Sequence, residues 1–481
     1  MRYAVLSLAL LLALAASQHT PIPQAFADRF GAKCLDSSPP SYSSLLQDPL
    51  RWILFIEGGG WCFEPSTCAQ WAGSSLGSSS SAHAGPPRAS GAGSSFYGGL
   101  LSANASENPR FYNYSMVFIH CALRQRGPPR FPCAPPHPAP LFTLPPPSQD
   151  CDGSSHTSNA TLPLNASGRL IWNRGRPNLA AQIAYQVETA GMGGAQEVIL
   201  SGGSAGGFSA FLGLDFVRGL LPQTVRLVGA PDAGFFADLP TYSNASHHAF
   251  SDSFRAMDAV WNSTGSGSLN AQCLEAHRAS GELWRCFFPE NAAPYIHTPW
   301  HAMMSAYDLA AKDLILQLGC AGVTCGAAQR QAMLAYRQSF LAALGQSVAA
   351  FPGNGAFIDS CLVHEQNVDY CSTQPVPNCR GWDKYTVSQT TEGDYPPLTP
   401  QAGFSLYYDW LMAHWGEVAR ARAAWGARVA ASVAGGPGAH PLRQGPPPAL
   451  AAPAAQIFIV DATTWPGNPS CPWNGTGPPT A

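Results

Sequence analysis

The chain has 481 residues, a formal net charge of −3, 11% charged residues and 46% hydrophobic ones. That much apolar content excludes a disordered chain, and the lack of basic excess excludes a nucleic-acid binder held by phosphate charge or a basic membrane-surface protein. Glycine (47) and proline (44) are abundant but clustered, which points to a folded body carrying irregular insertions.

In chain order, Met1-Arg2-Tyr3 precedes an apolar run from Ala4 to Ala16, with small residues at Ala13, Ala15, Ala16 and Ser17. One positive charge, a short apolar stretch and a small-residue flank predict a signal peptide over 1–17, hence a secreted product. No later run is long and apolar enough to predict stable membrane insertion. The 14 cysteines all lie beyond that run, as suits an oxidising compartment. Cys273 and Cys286 flank a short segment and are expected to pair, and Cys320 with Cys325 is a second proposal. Seven Asn-x-Ser/Thr acceptors, at Asn104, Asn113, Asn159, Asn165, Asn244, Asn262 and Asn474, predict glycosylated surface loops. Tandem CxxC pairs and HExxH are absent from the sequence, so no metal or other cofactor is expected.

Residues 51–56 (RWILFI) read as a buried strand running into Glu57 and three glycines. Segments 73–99 and 122–150, rich in Ser/Gly and Pro respectively, read as insertions, and 435–455 as a Gly/Pro/Ala linker. Between them, strand 115–120, helix 177–190, strand 197–201, helix 205–221 and strand 224–229 alternate. Short strands at 302–306 and 356–359, a helix over 327–344 and a last strand at 457–460 follow. This alternation predicts a single α/β domain over 34–475, built on a mostly parallel sheet flanked by helices. A monomer is expected.

Gly202-Gly203-Ser204-Ala205-Gly206 matches G-x-S-x-G after an apolar strand and at the start of an apolar helix. That context predicts an exposed serine nucleophile on a sharp turn. The second match, centred on Ser75, has no strand before it. A serine hydroxyl needs a histidine to take its proton and an acid to hold that histidine. His364 is the best-placed histidine, after the apolar run at 356–358; Asp308, Asp232 and Asp359 compete for the acid. An ester hydrolase also needs donors for the tetrahedral oxyanion. The backbone N–H groups of Gly60, Trp61 and Ala205 are the candidates, Gly60 and Trp61 from the glycine loop after the first strand.

EGGGWC (57–62), ENPRFYN (107–113), CDGSS (151–155), SGGSAGG (201–207), DAGFF (232–236), CFFPEN (286–291), AYD (306–308) and the block from Ser360 to His364 form an ordered set. That set resembles the pectin acetylesterase/Notum family of secreted carboxylesterases, over nearly the whole chain. The resemblance implies an α/β-hydrolase-like fold and a Ser-Asp-His triad of Ser204, Asp308 and His364, and it favours Asp308 over Asp232. CDGSS and NPSC (468–471) lie nearer the plant branch, which acts on cell-wall pectin, than the animal branch, which removes a fatty acyl group from a protein. An acetylated cell-wall polysaccharide is the substrate this resemblance implies; a Notum-like deacylase of a fatty-acylated protein and a catalytically inactive glycan-binding wall protein are the alternatives.

Overall fold

In the computed structural model the described residues are 17–74, 77–79, 98–120, 151–163, 170–320, 325–367, 382, 386–390, 393–434, 458–464, 467–468 and 470–471. The signal segment before Ser17, Ser75, most of the three insertions, and Asn165 and Asn474 lie outside them.

The strands are β1 (Ser17–Pro21), β2 (Ser41–Leu45), β3 (Asp48–Ile56), β4 (Tyr114–His120), β5 (Ala160–Pro163), β6 (Leu170–Asn173), β7 (Glu197–Gly203), β8 (Arg226–Asp232), β9 (His301–Ser305), β10 (Gly355–Asp359), β11 (Val387–Thr390), β12 (Gly393–Leu398) and β13 (Phe458–Val460). Nine form one sheet in the order β1-β2-β4-β3-β7-β8-β9-β10-β13. From β4 to β13 every neighbour is parallel, while β1 and β2 add an antiparallel edge. The expected fold class is therefore observed: a mostly parallel sheet with helices on its faces. The sheet starts earlier than the sequence suggested, because β1 precedes residue 34.

Burial on both faces explains why the central strands read as continuous apolar runs. Trp52, Leu54 and Ile56 of β3 join one core, with Leu179, Ile183, Phe208 and Phe211 from helices Gly175–Glu188 and Ala205–Leu220. Ile53 and Phe55, pointing the other way, join a second core with Phe404, Tyr407, Tyr408 and Leu411 of helix Pro400–Ala413. Each fully buried side chain of this kind contributes about 1.5–3 kcal/mol. Because the strands are parallel, the loops leaving β3, β7, β8, β9 and β10 all emerge at one sheet edge, the place where open α/β sheets build sites.

Cys62–Cys68, Cys273–Cys286, Cys320–Cys325 and Cys361–Cys471 are disulfide-bonded. Among the described residues, Cys273, His277 and Cys286 are the one cluster spaced like metal ligands. Its two sulfurs are spent on the disulfide. Of the acceptor asparagines within the described residues, Asn104, Asn244 and Asn262 are exposed; Asn113 and Asn159 are partly covered, with Asn159 Oδ1 taken by Arg174.

Candidate active site

Strand β7 ends at Gly203 and the helix Ala205–Leu220 begins at Ala205, leaving Ser204 alone in the turn at φ 56°, ψ −123°. A non-glycine residue rarely holds a positive φ, and such strain concentrates where a side chain must be projected. Two glycines make the turn possible by close backbone approach. A Cβ on Gly206 would strike the carbonyls of Ile56 and Glu57, and one on Gly58 would strike the Gly203 carbonyl and come within 2.9 Å of Ser204 Cβ. The glycine loop after β3 is thereby seated directly against the serine turn.

Ser204 Oγ lies 2.7 Å from His364 Nε2, and His364 Nδ1 lies 2.7 Å from Asp308 Oδ2. Asp308 caps the short helix Leu309–Leu314, its Oδ1 accepting the Ala311 N–H at 2.7 Å. One carboxylate oxygen is fixed by the helix start and the other is aimed at the imidazole. Asp308 is 1% exposed.

The competing aspartates serve the loop that carries His364. Asp232 Oδ2 accepts the backbone N–H groups of Gln366 (2.7 Å) and Asn367 (2.8 Å). Asp359 Oδ1 accepts the Cys361 N–H at 2.8 Å, and its other oxygen accepts from the Gln366 amide. Asn367 Nδ2 donates to Ser201 Oγ on β7 at 2.8 Å, tying the same loop to the strand that leads into Ser204. Burial raises both acids: Asp232 well above the ordinary carboxylate range, despite the donated N–H groups, and Asp359 to about 8. Neither carboxylate reaches the imidazole. The sequence contained all three acids at strand ends but not this division of labour.

Among the described residues no hydrogen-bond acceptor lies on the N–H of Gly60, Trp61 or Ala205. Gly60, at φ 91°, turns the loop so that Trp61 packs inward. The Trp61 ring is met by Phe208, Phe236, Phe250 and Phe254 at centroid distances of 5.4–5.7 Å. Phe236 also lies 6.3 Å from the His364 ring. At the head of the loop, Glu57 Oε2 is 3.3 Å from His120 Nδ1, and His120 Nε2 is 2.6 Å from Ser43 Oγ.

One residue of the site was not singled out from sequence. Glu365 follows His364, and its Oε1 lies 3.1 Å from where a Gly58 Cβ would sit. Burial pushes the Glu365 carboxyl up to about 7, against the opposing pull of His364. On His364 burial acts downward. The charge and hydrogen bond of Asp308, with Glu365 and Asp232 beyond, outweigh it and hold the imidazole at about 9, above its ordinary value near 6.5. If His364 serves as a general base it must be neutral to accept a proton, so in that case kcat/KM is expected to rise with pH and level off only on the alkaline side of an ordinary imidazole. Glu365→Gln removes one of the charges that favour imidazolium. It is expected to move the acidic limb toward lower pH, read from a pH profile with an uncharged ester. An unmoved limb would show that Glu365 does not act on His364.

The family model described as pectinacetylesterase matches residues 16–122 and 149–386. The chain belongs to the pectinacetylesterase family. Relatives include pectin acetylesterase 7 of Arabidopsis thaliana, 28% identical over 70% of this chain and 77% of its own length. Pectin acetylesterase 11 of the same plant is 29% identical with the same coverage. The palmitoleoyl-protein carboxylesterase NOTUM of Mus musculus is 25% identical, over 57% of this chain and 48% of its own. The solved structure of the Wnt deacylase Notum from Drosophila superposes with a TM-score of 0.57 at 19% identity, covering 82% of this chain and 93% of that one. It shares the fold. This pectinacetylesterase-family chain is a carboxylic ester hydrolase, nearer the plant branch.

Proposed function

We propose that this family member is a secreted serine esterase that removes O-acetyl groups from a cell-wall polysaccharide. The observation that carries the proposal is the continuous hydrogen-bonded chain from Ser204 through His364 to Asp308, set beside N–H groups without an acceptor. In this reading His364 Nε2 takes the Ser204 proton as Oγ attacks the acyl carbon. Asp308 keeps the ring oriented and stabilises the imidazolium. The N–H groups of Gly60, Trp61 and Ala205 receive the oxyanion. The imidazolium then returns its proton to the departing sugar hydroxyl. Water, deprotonated by the same histidine, releases acetate and restores Ser204. The apolar N-terminal run and the sequons support secretion, and among the described residues no helix is long and apolar enough to cross a membrane.

The animal relatives raise a second reading, deacylation of a fatty-acylated protein. A long acyl chain needs an apolar cavity. Here the space around Trp61 is filled by Phe208, Phe236, Phe250 and Phe254, none more than 3% exposed, which favours acetyl. Across a series of nitrophenyl esters, kcat/KM is expected to be highest at acetate and to fall with chain length. A steady rise to octanoate would favour the fatty-acyl reading, since each added methylene contributes up to about 0.8 kcal/mol only where an apolar pocket receives it. Acetate release from acetylated pectin and from acetylated xylan then distinguishes an anionic from a neutral carrier.

A further inference from the structure

We propose that Ser155 is a positioning residue that locks the two halves of the oxyanion hole together. The halves come from distant parts of the chain: Gly60 and Trp61 from the loop after β3, Ala205 from the helix that starts at the nucleophile. The Ser155 hydroxyl stands between them, accepting from the Trp61 indole Nε1 at 2.8 Å and donating to the Ala205 carbonyl at 2.8 Å. One hydroxyl thus both accepts and donates in joining those residues, and Ser155 is 1% exposed, so water does not compete.

The backbone is bent to place it there. Ser155 and His156 stand consecutively at φ 53° and 55°, a conformation costly for two residues with side chains. His156 uses the bend to bring Nδ1 to 3.0 Å from Ser209 Oγ, on the turn of the helix that follows Ala205. The same segment meets the glycine loop by main chain, with the Cys62 N–H donating to the Gly153 carbonyl at 3.0 Å. Residues 153–156 therefore grip both halves, and Ser155 is where one side chain touches both. An oxyanion hole works by holding donors where charge develops, so small displacements of one half reduce the rate more than they reduce substrate binding.

The test uses the full chain and exploits the positive φ. Ser155→Gly deletes the hydroxyl but suits the backbone conformation; relief of the positive φ partly offsets the two lost buried hydrogen bonds, so the fold is expected to be retained with a modest fall in melting temperature. With nitrophenyl acetate, kcat is expected to fall about tenfold to a hundredfold with KM changed little. Inhibition by a trifluoromethyl ketone, whose serine adduct carries an oxyanion, is expected to weaken by a similar factor. Trp61→Phe removes the other end of the bond and is expected to lower kcat with no further loss when combined with Ser155→Gly. A folded Ser155→Gly enzyme with wild-type kcat and wild-type inhibition overturns the assignment. Since Ser155 can act this way only if Ser204 is the nucleophile, Ser204→Ala is measured alongside. Full activity there would refute the triad itself, whereas loss there with full activity in Ser155→Gly refutes only the role of Ser155.

Discussion

Ser204→Ala and His364→Ala are each expected to lower kcat by about 10⁵-fold or more, with the double variant no worse than either single one. The reason is geometric. Among the described residues, Ser204 Oγ has one proton acceptor in reach, His364 Nε2 at 2.7 Å, and the serine is inert without it. Because the two side chains act in a single step, removing either removes the whole step. Ser204→Ala should not disturb folding, whereas His364→Ala leaves the buried Asp308 carboxylate without its imidazole and is expected to lower stability without abolishing the fold. Ser204 makes no side-chain cap to its helix, and the His364 loop keeps its ties to Asp232, Asp359 and Ser201 through neighbouring residues. The expected result is an unaltered melting temperature in Ser204→Ala, a lower one in His364→Ala, and in both only the residual rate that the oxyanion donors and binding supply.

Asp308→Asn carries the next largest effect, a loss of kcat of about 10⁴-fold. An amide at this position can donate to Nδ1, which fixes the imidazole with its proton on Nε2, facing Ser204, where it cannot act as a base. The Oδ1 bond to the Ala311 N–H can persist in the variant, so the helix start is retained. Asp232→Asn supplies the control. Asp232 receives two backbone N–H groups through one oxygen, and asparagine can still accept them. Its effect on kcat is expected to be less than about tenfold, with any cost falling on the stability of the 364–367 loop. Steady-state kinetics of the two variants side by side check the assignment of the acid, and equal losses would contradict it.

That contrast marks where the sequence was legible. The central strands were readable because a strand buried on both faces needs unbroken apolar side chains, as in residues 51–56 and 197–201. The turn at Ser204 was readable because close backbone contact at Gly206 and Gly58 permits only glycine, leaving a motif. The edge strands β1 and β2 were not, since Ser41–Leu45 is largely polar and is held by pairing with β4. The acid was ambiguous because Asp232, Asp308 and Asp359 all follow apolar strands. Their roles depend on which carboxylate the 360–367 loop folds over, a long-range relation with no local signature. Ser155 was visible only as part of CDGSS. Its hydroxyl gains meaning from a positive φ and from two partners 94 and 50 residues away.

The central claim is that hydrolysis passes through an acyl group on Ser204. Mixing the purified enzyme with excess nitrophenyl acetate, quenching in acid within the first turnover and mapping peptides by mass tests it directly. The account predicts a burst of nitrophenol and one added acetyl group on the peptide carrying Ser204, both lost in Ser204→Ala. Acetate release by the wild type with no acetyl on Ser204, or equal release by Ser204→Ala, would contradict it.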